Sequence, residues 1–160
     1  MKKMILLTVF SVMLVLGVGC SSAGAETTQD NPLLQEDLSV IMETIYENSG
    51  LELPKLANTE LTEENEAYFI GTNDVEYTEA LASEPMMSSI AHSVVLLRVE
   101  DGADIEAVKE TIKTKVDPRK WICVGVEEDD IIVDNIGNLV ILIMINDSTE
   151  LHDAFTSLAE

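Results

Sequence analysis

Seven consecutive apolar residues, Leu139 to Ile145, constrain this chain more than any other feature. In a strand, alternate side chains point to opposite faces, so a strand of this composition is greasy on both. A plain two-layer arrangement would leave one of those faces wet, and apolar patches of that size are rare on monomers. The second face therefore needs a cover. A helix is the preferred reading, with the N-terminal amphipathic segment as the natural candidate, and an oligomer interface is the alternative.

The rest of the chain supplies elements to pack around that strand. From Leu33 to Ser49, Leu34, Leu38, Ile41, Met42 and Ile45 follow a helical stripe, and Asn48-Ser49-Gly50 ends it. Residues 51–65 read as a loop, Ala67 to Gly71 as a short strand and Asp74 to Ala82 as a helix. Glu84 to Ser89 reads as a loop, and Ile90 to Val99 as a strand ending in the Asp101-Gly102 turn. Asp104 to Val116 places Ile105, Val108, Ile112 and Val116 on one helical face, and Asp117-Pro118 stops it. Trp121 to Val126 reads as a strand. Ile131 to Val133 pairs with Leu139 to Ile145 through a loop at 134–138, where Gly137 suits a positive φ. Asp147, with Glu150 three residues on, forms a capping box for a last helix bearing Leu151, Phe155 and Leu158. The expected fold is α+β: a largely antiparallel sheet of about four to five strands packed against helices, in a single domain over residues 33–160.

Charge narrows the function classes. The chain has 30 acidic and 9 basic residues in 160, a net charge of −21. Nucleic-acid phosphates need a basic face, which this composition does not provide. At 46% hydrophobic residues the chain is not a disordered acidic polymer. Two cysteines do not make a disulfide scaffold.

The N-terminus reads as an address. Met1-Lys2-Lys3 is a short basic region, followed by an apolar run from Met4 to Val18. That run is too short for a membrane span and fits the apolar region of a signal sequence. Leu16-Gly17-Val18-Gly19-Cys20, followed by Ser21-Ser22-Ala23-Gly24-Ala25, resembles the lipobox of bacterial lipoproteins. The resemblance implies a signal peptide over residues 1–19 and a diacylglyceryl thioether on Cys20. Two acyl chains give a stable anchor. Residues 20–32 then form the lipidated Cys and its flexible tether. Removing residues 1–19 takes away Lys2 and Lys3 and no acid, which leaves 7 bases against 30 acids, a charge of −23. Such a domain is repelled by anionic head groups.

A wider likeness covers roughly residues 35–160. The loop Glu84-Pro85-Met86-Met87-Ser88-Ser89, the unit from Ile90 through Asp101-Gly102 into the helix Asp104 to Glu110, and Gly137-Asn138-Leu139-Val140-Ile141-Leu142 resemble the bacterial lipoprotein family called domain of unknown function 4358. The resemblance implies a cell-surface lipoprotein of Gram-positive type and implies no activity. Two departures stand out. Ser93 sits where the family often has an acidic residue, and Pro118 cuts a helix that often runs on.

Candidate sites are few. Met86-Met87 is a soft apolar pair: either a plug closing one end of the core, the preferred reading from residue type, or an adaptable partner contact. Cys123, between Ile122 and Val124, reads as a buried structural thiol, since neither His92 nor His152 is placed beside it by spacing. Glu127 to Asp130, with Asp134, lacks calcium-loop spacing and reads as a solvated acidic turn. Trp121 and Tyr68 are too isolated in sequence for a sugar-binding platform. No phosphate loop, dinucleotide fingerprint or Cys–His metal spacing is present, so no cofactor or metal is expected. The expected function is a non-catalytic, lipid-anchored binding or interaction module of the cell envelope, with an envelope protein as partner. The alternatives are a solute- or ion-binding lipoprotein serving a transporter and, behind it, a wall-acting hydrolase.

Overall fold

The computed structural model describes residues 31–146 and 148–160. The proposed signal sequence, Cys20, most of the tether and the Asp147 cap lie outside them. The apolar run forms β5, Leu139–Ile145, every residue of which is buried. It pairs antiparallel with β4, Ile131–Ile136, on one side and with β3, His92–Arg98, on the other. Beyond β3 lie β2, Glu79–Pro85, and β1, Leu56–Glu60, giving an antiparallel sheet in the order β1-β2-β3-β5-β4.

Helices cover both faces of β5. Helix α1, Leu38–Ser49, packs against α4, Thr149–Thr156, over one face. Ile41, Ile45, Leu151 and Phe155 meet Val94, Leu96, Ile141 and Ile143 there. The second face carries α2, Glu66–Ile70, and α3, Ile105–Lys115, where Phe69, Ile70 and Ile112 join Val95, Leu97, Val140 and Leu142. The molecule is one α+β domain of three layers, and the N-terminal helix is one of the covers that the greasy strand demanded.

Several elements differ from the sequence reading. The segment read as a loop at 51–65 contains β1, whose polar Asn58-Thr59-Glu60 lie at an exposed edge and carry no apolar alternation. The strand expected at Ala67–Gly71 is helix α2. Five residues cannot distinguish the two periods, and Gly71, at φ 80, caps the turn by bonding Ala67 O. The helix expected at Asp74–Ala82 gives way to an irregular segment and then β2. Ala80, Leu81 and Ala82 are all buried there between β1 and β3, so tertiary pairing outweighs alanine's helix preference.

The strand expected at Trp121–Val126 is an irregular loop, closed by Val126 N–H to Pro118 O at 3.0 Å. The β4–β5 turn is only Gly137-Asn138, with Gly137 at φ 58, because β4 extends to Ile136. Helix α1 begins at Leu38, after a separate 3-10 turn over Pro32–Gln35. Helix α4 takes Ser148 as its N-cap residue.

The outer edge of β4 is clasped from both sides. Asp134 Oδ2 lies 2.7 Å from His152 Nε2 of α4, and Lys109 of α3 reaches Asn135 Oδ1 at 3.0 Å and Asp134 Oδ1 at 3.9 Å. Burial pulls the Asp134 carboxyl up, but the His152 bond, the Asn135 N–H and Lys109 outweigh it and hold the group below its ordinary range. A charged residue on an edge strand also discourages further pairing.

Candidate functional site

At the end of the sheet where β2 stops and β3 starts, two loops meet. Residues 86–91 join β2 to β3, and residues 117–126 follow α3 after Pro118 breaks the helix. Ile122 N–H donates to Ser88 O at 3.0 Å and ties the loops together. Met86, Met87 and Ile122 are 67%, 63% and 66% exposed. The methionine pair therefore does not plug the core. Tyr68, on α2, is exposed nearby and reaches the same site from below.

Beneath these loops lies a buried ion pair. The Lys120 side chain is 3% exposed, and its Nζ stands 2.7 Å from Glu84 Oε1. That oxygen meets no donor in hydrogen-bond alignment, so the contact is a charge pairing. Lys120 Nζ also donates to Ser93 Oγ at 3.1 Å, and the Tyr68 hydroxyl donates to Glu84 Oε2 at 3.3 Å. The ammonium lies 4.8 to 5.4 Å from the ring centres of Tyr68, Phe69 and Trp121, within cation–π range. Burial pulls the Lys120 pKa down, and the neighbouring Glu84 and Asp117 carboxylates push back.

A lysine beside a serine hydroxyl is the layout of a Ser–Lys nucleophile pair. Here Ser93 is fully buried, and Lys120 is committed to a carboxylate. The cluster fastens the 117–126 loop onto the sheet and leaves no path for a substrate to Ser93.

The opposite face of the same strand end carries Tyr46 of α1 and His92. Tyr46 Oη lies 3.0 Å from His92 Nε2. Burial holds His92 down to about 4, against the pull of Glu84, and burial raises Tyr46 above its ordinary value. At neutral pH the bond joins a neutral imidazole to a protonated phenol.

This arrangement predicts a pH dependence. His92 takes a proton in the unfolded chain below about pH 6.5 but stays neutral in the fold until about pH 4. The unfolded state binds more protons between those values, so stability from this group is complete above pH 6.5 and falls as the pH drops toward 4. The shift corresponds to about 3 kcal/mol at its limit. Urea unfolding at pH 7 and pH 4.5 should show a larger acid loss for the wild type than for His92→Gln, which keeps a partner for Tyr46. Equal losses would contradict a buried neutral imidazole.

The remaining candidates do not join this site as catalysts. Cys123 is exposed and sits at φ 63, the sole positive φ among described non-glycine residues, which overturns its reading as a buried strand thiol. Neither imidazole serves it: His92 bonds Tyr46, and His152 bonds Asp134. Glu128 to Asp130 form an exposed-to-half-buried 3-10 turn. Among the described residues no group of three or more His, Cys, Asp or Glu side chains is arranged to hold a metal ion.

Sequence spacing could not reveal the Lys120–Glu84 pair, whose members stand 36 positions apart. Trp121 and Tyr68, isolated in sequence, turn out to be two walls around that ammonium. Comparison with family models, with curated proteins and with solved structures found no match to this chain.

Proposed function

We propose that this chain is a lipid-anchored extracytoplasmic lipoprotein, of the type grouped as domain of unknown function 4358, that binds another envelope component without catalysis. Cys20 carries the anchor and the Met86–Met87 face makes the contact. The observation that carries this reading is the exposure of Met86, Met87 and Ile122 side by side on two loops fixed from beneath. Large apolar side chains grouped in the open on an otherwise acidic, well-packed domain are a signature of interaction surfaces. Methionine suits such a role because its unbranched side chain adapts to a partner's shape.

The orientation is consistent with this reading. The described chain enters at Asn31, whose amide donates to Leu158 O at 2.6 Å. Arg98, at the far end of β3, donates to Leu34 O and Glu36 O. The Met86 face lies by the opposite end of that strand, about 20 Å away for seven residues. A domain tethered through Cys20 would therefore offer this face away from its bilayer.

The test is crosslinking of the full-length lipoprotein in intact cells, read by mass spectrometry. The wild type should capture a reproducible envelope component. The Met86→Asp/Met87→Asp variant should lose it while unfolding at an unchanged temperature, since both side chains are exposed. Capture that survives the double substitution would contradict the proposed face. Cys20→Ser should leave the detergent phase that retains the wild type.

A further inference from the structure

The two edges of the sheet are finished differently. The β4 edge is clasped by Asp134, His152 and Lys109. Among the described residues the β1 edge has no such cover: Ala57 to Glu60 are exposed on both faces. Its backbone phase follows from two bonds to β2. Leu61 N–H donates to Ala80 O, and Met86 N–H donates to Lys55 O. Antiparallel pairs alternate between hydrogen-bonded and non-bonded positions. Residues 55, 57, 59 and 61 thus bond inward, while Leu56, Asn58 and Glu60 turn their N–H and C=O groups outward. Asn65 Nδ2 takes up Glu60 O at 3.0 Å. The outward groups of Leu56 and Asn58 have no partner among the described residues.

Alongside this edge runs a groove of about 430 Å3 between β1 and α1. Exposed Val40, with Met42, Tyr46 and Leu56, gives it apolar walls, and Glu43 and Glu47 give it charge. Ser83, fully buried, lines it near the Tyr46 hydroxyl. Among the described residues no basic side chain lines it, and between Asn31 and Ile90 the chain holds 13 acids against the single base Lys55. Helix α1 runs along the strands, since Glu36, just before its start, lies by Arg98 and Tyr46 lies by His92. Glu43 and Glu47, one turn apart, are spaced about 6 Å along the helix. Alternate residues of a strand are spaced about 6.6 Å. An extended segment beside β1 could therefore present residues k and k+2 to the two carboxylates in turn.

We propose that β1 accepts an extended polypeptide segment with Lys or Arg on alternate residues. The segment pairs with the outward groups of Leu56 and Asn58 and lays its basic side chains along Glu43 and Glu47. This is strand addition at a sheet edge, where main-chain bonds give affinity and alternate side chains give specificity. The site is separate from the Met86 face and does not depend on it.

The test titrates full-length protein in mild detergent with a capped Lys-Val-Lys-Val-Lys-Val-Lys peptide. A control peptide of the same composition, with the four lysines grouped before the three valines, carries the same charge without the alternation. The alternating peptide should bind at least about tenfold tighter than the grouped one. It should also slow amide exchange at Leu56 and Asn58. Asn58→Pro removes one outward N–H, leaves the bonds to β2 intact and keeps the charge, so it should weaken binding about tenfold. Glu43→Gln/Glu47→Gln should weaken it too, should the proline variant fold poorly. Met86→Asp/Met87→Asp should bind like the wild type, which separates failure here from failure of the Met86 face. No binding would overturn the proposal. So would equal binding of both peptides with unchanged exchange at Asn58, since general attraction to an acidic protein would then explain it.

Discussion

Lys120→Ala should destabilise the fold by about 3–5 kcal/mol, because it strands the Glu84 carboxylate beside a hydrophobic layer. Glu84 keeps the Tyr68 hydroxyl but loses the cation 2.7 Å away. The truncation also opens the space among Tyr68, Phe69 and Trp121 that the lysine stem and ammonium fill. For a domain of this size the melting temperature should fall by roughly 10–15 °C. Replacing both partners, as in Glu84→Gln/Lys120→Met, should cost clearly less than the sum of the single losses, because neither charge is then left alone. Thermal or urea unfolding of the wild type, Lys120→Ala, Glu84→Gln, Lys120→Met and the double variant decides it. Additive losses, or a Lys120→Ala cost below about 0.5 kcal/mol, would mean that the pair is effectively solvated.

Gly71→Ala should be comparably severe, for a backbone reason. Gly71 ends α2 at φ 80, in the left-handed region that side chains avoid. A Cβ there would also run into the Lys115 carbonyl and lie 2.5 Å from Val116 N, both backbone atoms that cannot swing aside. The end of α3 would have to back away from α2, loosening the layer that holds Ile70 and Val116. The left-handed conformation costs about 1 kcal/mol, and overpacking adds about 1–3 kcal/mol. Gly50→Ala and Gly102→Ala are the controls. Both glycines have positive φ, but a Cβ at either would meet nothing within 4 Å. They should lose only the conformational part. If all three variants unfold together, the close approach of α2 to α3 is not what Gly71 serves.

The elements legible in the sequence were those whose pattern is long or closed. The seven apolar residues of β5 could only be a strand buried on both faces, and that demanded the helices now seen on each side. Helix α3 was readable because Ile105, Val108, Ile112 and Val116 share a face and Asp104 and Pro118 bracket it. The stretch from Leu51 to Pro85 was misread for a physical reason. Strand β1 lies at an exposed edge, so nothing forces its side chains to alternate. Helix α2 is a turn and a half long. Strand β2 uses alanines, helix-prone residues that are strand here because β1 and β3 flank them. The candidate face was half legible. Met86 and Met87 could be picked out by type and loop position. Their exposure, and the arrival of Ile122 beside them, depend on Lys120 reaching Glu84 and Ser93 across three elements. Cys123 misled because its apolar neighbours suggest burial, whereas the loop turns Ile122 outward and Trp121 inward.

The apolar face stands built in advance, on loops locked by the bond between Ile122 and Ser88 and by the ion pair below it. The most direct measurement is residue-resolved hydrogen exchange of the uncomplexed protein at the Ile122 amide. Protection of at least about a hundredfold over an unstructured amide is expected, because opening that bond requires lifting Lys120 from Glu84. Exchange at the unprotected rate would contradict it: the loops would then be open in solution and Met86, Met87 and Ile122 would not form a standing surface.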